Sequence, residues 1–276
     1  MYKLYLTLFM CFLLLGCEVR VRDTGTSILG NSRSSNDTLF SIGRGQNNQG
    51  IAPLSITESQ TTVQAQVLNA SPTSNMYEIV TPFGNMTIRL YDETPAHRDN
   101  FKKLAESGFY DGTTFHRVIG NFMIQGGDPN SKDNDPNNDG IGGPGYTTNA
   151  ELNDRFFHKK GAIAAARQPD QVNPQRRSSG SQFYIVQGRA YEEQELSDVE
   201  RYIGIQIRDN NFRFSPEARE AYKSRGGYPT LDMQYTVFGE LVDGFDVLDR
   251  ISTVPVDGRD RPKDNIPMTI RAIRAQ

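Results

Sequence analysis

Apolar and polar residues alternate over Met76–Thr81 and again over Asn85–Tyr91, with Pro82-Phe83-Gly84 between the two runs. Alternation with period two sends neighbouring side chains to opposite faces of an extended chain, so this stretch predicts a β-hairpin. The period then changes. Thr94-Pro95 reads as an N-cap and first helical residue, His97, Phe101, Leu104 and Ala105 recur on one helical face, and Gly108 ends the helix. Next, Phe115–Ile119 and Phe122–Gly126 are apolar runs flanking the turn dipeptide Gly120-Asn121, closing on Gly126-Gly127. Strict alternation puts Phe115, Arg117 and Ile119 on one face, and sets Phe122, Ile124 and Gly126 against Met123, Gln125 and Gly127. A cation, a ring, a thioether and an amide are thereby brought together on adjacent strands. An idle charge among Phe115, Val118, Ile119, Phe122 and Met123 would be costly, which marks Arg117 as a candidate functional residue.

Further along, the small apolar residues of Gly161–Ala166 predict a buried strand that lets another group approach closely, with Arg167 at its end. Ser181–Val186 predicts the next strand, Gln182 and Tyr184 on one face and Phe183 and Ile185 on the other. Leu196, Val199, Tyr202 and Ile203 have helical spacing, and Ser215-Pro216-Glu217 starts a second helix ending near Gly226-Gly227. The apolar stripe of this helical pair is expected to pack on the domain. Tyr235–Leu241 reads as a strand, Gly244–Ile251 as an amphipathic helix and Met268–Ala275 as a closing strand. Many strands, few helices and no βαβ rhythm point to a mainly β fold, a closed antiparallel barrel with flanking helices.

The first quarter of the chain has a different texture. Lys3 precedes the apolar run Leu4–Leu15, which is too short to span a bilayer and reads as a secretory signal. It ends in Leu14-Leu15-Gly16-Cys17, which resembles the lipobox of bacterial lipoproteins. That resemblance implies a signal over residues 1–17, acylation of Cys17 by palmitate-type chains, loss of Cys11 with the signal and therefore no cysteine pair. The protein is then expected in the bacterial cell envelope, anchored to a membrane by lipid and facing the periplasm. Residues 18–74 are rich in Ser, Thr, Asn, Gln and Gly with scattered apolar positions, and read as a flexible polar linker before a domain over 75–276.

Composition narrows the chemistry. The 276 residues are 36% hydrophobic and 23% charged with a net charge of −3. That suits one globular domain plus a tail and provides no broad basic field for nucleic acid. No His, Cys and acid cluster has metal-ligand spacing, and His97, His116 and His158 are spread out, so neither metal nor cofactor is expected. Asp135, Asn137, Asp139 and Gly140 fit the first half of a calcium loop. Tyr146 stands where the twelfth-position Glu belongs, so the loop reads as a solvated turn. Ser181 lacks the second glycine of a hydrolase nucleophile elbow.

Phe115-His116-Arg117-Val118-Ile119 followed by Phe122-Met123-Ile124-Gln125-Gly126-Gly127-Asp128-Pro129 resembles the signature of the cyclophilins, peptidyl-prolyl cis/trans isomerases. Gly180–Ile185, Leu231-Asp232 with Tyr235–Gly239, and the loop from Gly142 to Glu151 extend the likeness over Met76–Ala275, with one helical insertion at about 189–229. The resemblance implies an eight-stranded barrel and an isomerase that turns X-Pro bonds during folding of exported proteins, with extended proline-containing chains as partners. It implies Arg117 and Gln125 as catalytic residues. Phe122, Met123, Tyr184, Leu231 and Tyr235 would line a pocket for the proline ring, and Ala166 would leave room beside it. The Arg167 backbone would pair with substrate, and Gln125 and Gln182 would hold a carbonyl and orient Arg117. Tyr184 stands where many members have Phe, and Thr230 where animal members have a rim Trp. A proline-binding module or holdase with little turnover is the competing reading, and the intact Arg117, Gln125 and Gln182 set favours the enzyme.

Overall fold

The computed structural model describes residues 75–133 and 135–273, so the expected signal, Cys17 and linker lie outside the described residues. Within them the first hairpin pairs β1 (Met76–Thr81) with β2 (Gly84–Leu90), and Tyr77, Ile79, Met86 and Ile88 are all fully buried. Helix α1 (Pro95–Glu106) follows, burying His97, Phe101, Leu104 and Ala105 as the spacing predicts. Its cap differs from expectation. Thr94 occupies the N-cap position, but its hydroxyl makes no capping bond. The Glu151 carboxylate does this instead, accepting from the Ala96 and His97 N–H groups at 3.1 and 2.9 Å and meeting His97 Nδ1 at 2.6 Å. An anion at a helix N-terminus satisfies free amides and opposes the helix dipole.

The remaining strands are β3 (Arg117–Ile119), β4 (Met123–Gly126), β5 (Thr147–Thr148), β6 (Ala162–Ala165), β7 (Ser178–Ser179), β8 (Phe183–Val186), β9 (Val237–Asp243) and β10 (Thr269–Ala272). Of the ten strands described, eight form one antiparallel sheet in the order β10-β1-β2-β9-β6-β8-β4-β3, while β5 and β7 pair separately. The sheet curls but does not close, because its edges β3 and β10 do not pair with each other. The expected closed barrel is thus an open one. The seam is bridged by the segments just before each edge strand: Gly112 and Phe115 donate to Met268 and Ile266 carbonyls, and Met268 donates to Thr113.

Phe101 of α1 sits at the centre of the main core, edge-on to Tyr77 and Phe183 at ring separations of 5.9 and 5.5 Å. All of β6 is buried. Ile163 and Ala165 face this core, whereas Ala162 and Ala164 face a second cluster with Met123, Tyr184, Val186 and Val237. The short side chains on that second face leave the space that becomes the candidate site.

The insertion forms the two helices that the spacing predicts, and of the expected stripe Leu196, Val199 and Ile203 pack inward while Tyr202 stays exposed. Helices α2 (Glu193–Ile207) and α3 (Pro216–Ser224) pack through Leu196, Ile203, Ala218, Ala221 and Tyr222 against Phe157. Ser215 caps α3 by accepting from the Ala218 N–H at 3.1 Å. The two ends of the insertion are clasped, with Arg189 and Gly227 exchanging backbone hydrogen bonds of 3.1 and 2.9 Å. Gly227 also lies so close to the His158 carbonyl that a Cβ there would come within 2.3 Å of it.

Candidate active site

The site is organised by the β3–β4 hairpin, where Arg117 pairs with Gln125 and Ile119 with Met123. Asn121 makes the turn with φ of 61°, a left-handed conformation that Asn tolerates. Regular pleating begins only at Arg117. Phe115 therefore escapes the expected alternation and packs in the main core with Val118 and Ile124, not on the Arg117 face.

A cavity of about 790 Å³ opens on that face. Arg117, Phe122, Met123, Gln125, Ala166, Arg167, Gln182, Tyr184, Leu231 and Tyr235, every site residue expected in the domain, line it together. Thr230 is not among its lining residues. The outer part of the wall comes from the glycine-rich loop around Gly140–Thr147 and from Val172 and Arg177.

The polar groups are arranged differently from the expectation. Gln125 Nε2 donates to Gln182 Oε1 at 3.0 Å, and Gln182 Nε2 donates to the Gly140 and Gly142 carbonyls at 3.0 and 2.8 Å. The two amides thus tie the hairpin to the glycine-rich loop, and neither bonds Arg117. The Arg117 guanidinium donates no hydrogen bond to a described residue. Its ionic partner is Asp260, Nε to Oδ2 3.7 Å, and its side chain is 37% exposed, so it is not the charge stranded among apolar groups that the sequence suggested. Asp260 is held in place by its own carbonyl, which accepts from Val118 N–H at 2.8 Å across the hairpin edge.

Fully buried Asp128 organises the loop behind the amides. Its Oδ1 accepts from Asn130 N–H at 2.8 Å, and its Oδ2 accepts from the N–H groups of Gly140 and Gly142. The would-be calcium ligands are otherwise engaged: Asp139 pairs with Arg261 at 2.6 Å, and Asn137 accepts from Arg259 at 3.2 Å. Among the described residues no group of three or more His, Cys, Asp or Glu side chains could hold a metal ion.

On the apolar side, the Phe122 ring lies 4.2 Å from the Tyr228 ring at the end of the insertion. The Arg167 guanidinium sits over the Tyr235 ring, 4.5 Å from its centroid, and donates to the Gln234 carbonyl and to Asp170. A cation over an aromatic face fixes the ring's tilt. The N–H and C=O of Arg167 itself have no partner among the described residues, whereas those of neighbouring Ala166 are both bonded within the protein. Tyr184 is buried behind the cavity, and its hydroxyl meets His158 Nε2 at 2.9 Å. Burial pushes this phenol well above its ordinary pKa, so it stays protonated.

The family model for cyclophilin-type peptidyl-prolyl cis-trans isomerases matches residues 76–273. The chain belongs to that family. A Staphylococcus epidermidis protein provisionally named a peptidyl-prolyl cis-trans isomerase is 35% identical over 201 residues, covering 71% of this chain and 90% of that one. A longer Streptococcus pyogenes protein, provisionally named a bifunctional phosphatase and peptidyl-prolyl isomerase, is 36% identical over 196 residues; the match covers 68% of this chain but only 36% of that one. The fold is that of a Cryptosporidium parvum cyclophilin crystal structure, with a TM-score of 0.53, 24% identity, and coverage of 73% of this chain and 99% of that one. A second crystal structure of that cyclophilin, determined in the presence of the dipeptide Ala-Pro, matches with a TM-score of 0.51 and 25% identity, again over 73% and 99% of the two chains. This cyclophilin is therefore an isomerase of X-Pro bonds.

The sequence did not disclose Asp260, Asp128 or the partner of the Tyr184 hydroxyl. Asp260 and the His158 partner of Tyr184 lie far along the chain from the groups they meet, and Asp128, although it stands in the motif itself, reaches forward to Gly140 and Gly142.

Proposed function

We propose that this cyclophilin accelerates X-Pro rotation by a non-covalent mechanism in which Arg117 stabilises the twisted amide. The observation that carries the reading is the Arg117 guanidinium, which donates no hydrogen bond to a described residue and meets Asp260 only at 3.7 Å, beside an apolar recess lined by Phe122, Met123, Leu231 and Tyr235. Rotation about the X-Pro bond faces a barrier of about 18–20 kcal/mol, which is the loss of amide resonance. At the perpendicular geometry the prolyl nitrogen recovers a lone pair. A donor aimed at that nitrogen binds the twisted state better than either planar one, and only such differential binding accelerates a reaction. The recess holds the ring while the flanking chain turns, and the unpaired Arg167 backbone offers that chain main-chain hydrogen bonds. Gln125 and Gln182 act indirectly, holding the glycine-rich wall against the hairpin. No nucleophile or general base takes part.

The substrates on this reading are extended proline-containing chains of exported proteins, and the enzyme works in the envelope, held by lipid on Cys17 and facing the periplasm. The Leu14-Leu15-Gly16-Cys17 sequence supports the anchor. Exchange NMR on an Ala-Pro peptide tests the chemistry: cis and trans signals should exchange faster with catalytic amounts of protein. Saturable binding without faster exchange would leave the holdase reading instead. Mass spectrometry of the mature N-terminus tests the anchor, and an unmodified Cys17 would remove it.

A further inference from the structure

Behind the cavity runs a chain of buried hydrogen bonds that the proposed chemistry does not use. It starts on the insertion. Tyr222 of α3, with no exposed surface, donates its hydroxyl to Asp232 Oδ2 at 2.5 Å. Asp232 Oδ1 accepts from the His158 backbone N–H at 2.8 Å and lies 2.7 Å from His158 Nδ1. A carboxylate only accepts, so in the neutral imidazole Nδ1 carries the proton and Nε2 presents its lone pair. That lone pair meets the Tyr184 hydroxyl at 2.9 Å, and Tyr184 is therefore the donor. With the ring neutral, every link has one direction. His158 is fully buried and the Asp232 side chain is 5% exposed, so both are shielded from bulk solvent. The Tyr184 ring, stacked against the His158 ring at 6.0 Å, forms part of the cavity wall.

We infer that Tyr222 is a positioning residue of the isomerase site: through Asp232 and His158 it fixes the Tyr184 ring, and so makes the helical insertion part of the proline-binding apparatus. The inference rests on the reading of this cavity as the proline site. A buttress that merely stabilised the fold would lower the melting temperature and leave substrate binding alone. A positioning role predicts more. Removing the Tyr222 hydroxyl frees Asp232 to shift, the imidazole loses its single tautomer, and Tyr184 loses its fixed tilt. Binding weakens alike in the planar and twisted states, so KM rises while kcat holds.

The test is a double-mutant cycle on the full chain with Tyr222→Phe, Tyr184→Phe and the pair, read by KM and kcat and by imidazole ¹⁵N spectra of His158. Tyr222→Phe should raise KM about three- to tenfold, the worth of one net hydrogen bond. Adding it to Tyr184→Phe should change KM no further, and the His158 spectrum should go from one tautomer in the wild type to a mixture in Tyr222→Phe. An unchanged KM in folded Tyr222→Phe, or single effects that multiply in the double variant, would overturn the inference. Should Tyr222→Phe not fold, the reciprocal arm decides. Tyr184→Phe should speed amide hydrogen exchange in α3, because coupling runs both ways, and unchanged exchange there would count against it. If the wild type binds Ala-Pro peptide without turning it over, the isomerase mechanism fails, while the same cycle read by Kd still judges the positioning role.

Discussion

The floor and the rim of the cavity are held by different forces. The floor is carried by β4, β6 and β8, whose alternate residues Ile124, Ile163 and Ile185 are buried in the main core. Its shape is spread over many apolar contacts, each individually weak. The rim has no strand longer than the two residues of β5 and β7. It hangs from a few polar centres. These are Asp128, the Gln182 amide, and Arg177, whose guanidinium donates to Thr147 Oγ1 at 2.6 Å and to the Thr147 carbonyl at 2.9 Å. Distributed packing yields gradually when trimmed. A loop hung from single groups changes conformation when one is lost. Substitutions on the floor should therefore separate cleanly from those on the rim.

The largest expected effect lies on the floor hairpin and leaves structure untouched. Arg117→Ala should lower kcat/KM by about 10²–10³ with an unchanged melting temperature, the usual scale for one preorganised donor. Arg117→Lys should recover little, because a point charge lacks the guanidinium fork. Equal turnover by wild type and Arg117→Ala in exchange NMR would remove the central residue of the mechanism.

On the rim the order of effects should reverse. Asp128→Ala leaves the Asn130, Gly140 and Gly142 amides without their acceptor and should cost about 1–3 kcal/mol in urea unfolding. KM should rise as the glycine-rich wall loosens. Ile124→Val, on the core side of the floor, should cost about 0.5–1.5 kcal/mol with KM unmoved. If both variants moved KM alike, the distinction between floor and rim would fail.

The smallest effect is on pH. Burial lowers the pKa of His97, against the pull of Glu151, and lowers that of His116, against the pull of Asp128 and Asp139. The unfolded chain then binds protons that the folded one refuses, so stability is full above the ordinary histidine value of about 6.5 and falls as pH drops through it. His97 contacts Glu151, and His116 lies behind Gly140. Acid should accordingly quicken amide exchange at Gly140 and Gly142 before it does so in β4, while kcat stays flat between about pH 6 and 8, because the proposed mechanism uses no group that titrates there. Exchange rising first in β4 would contradict this.

What could be read from the sequence was local. The β1–β2 hairpin, the buried face of α1, both insertion helices and the two faces of β8 follow from spacing alone, and the motif residues do converge on one cavity. Errors arose where one segment answers another far away. Thr94 has the right residue type and position for a cap, yet Glu151 takes the amides. Phe115 broke the alternation because pleating starts two residues later. Arg117 looked stranded because nothing near it in sequence announces Asp260. The expected closure of the barrel rested on strand number, which cannot say whether the last pair forms.

That open seam has a consequence for the sheet itself. An eight-stranded sheet that fails to close has two edges, and a bare edge invites any unfolded polypeptide to add itself as another strand. Here the edges are partly occupied. The β3 edge is met at Val118 by the Asp260 carbonyl, and the segments preceding both edge strands are tied together at Gly112, Thr113 and Met268. An added strand would have to displace these contacts before it could pair. On the proposed reading, Arg167 alone offers its backbone N–H and C=O to a substrate chain, a far shorter run than a sheet edge.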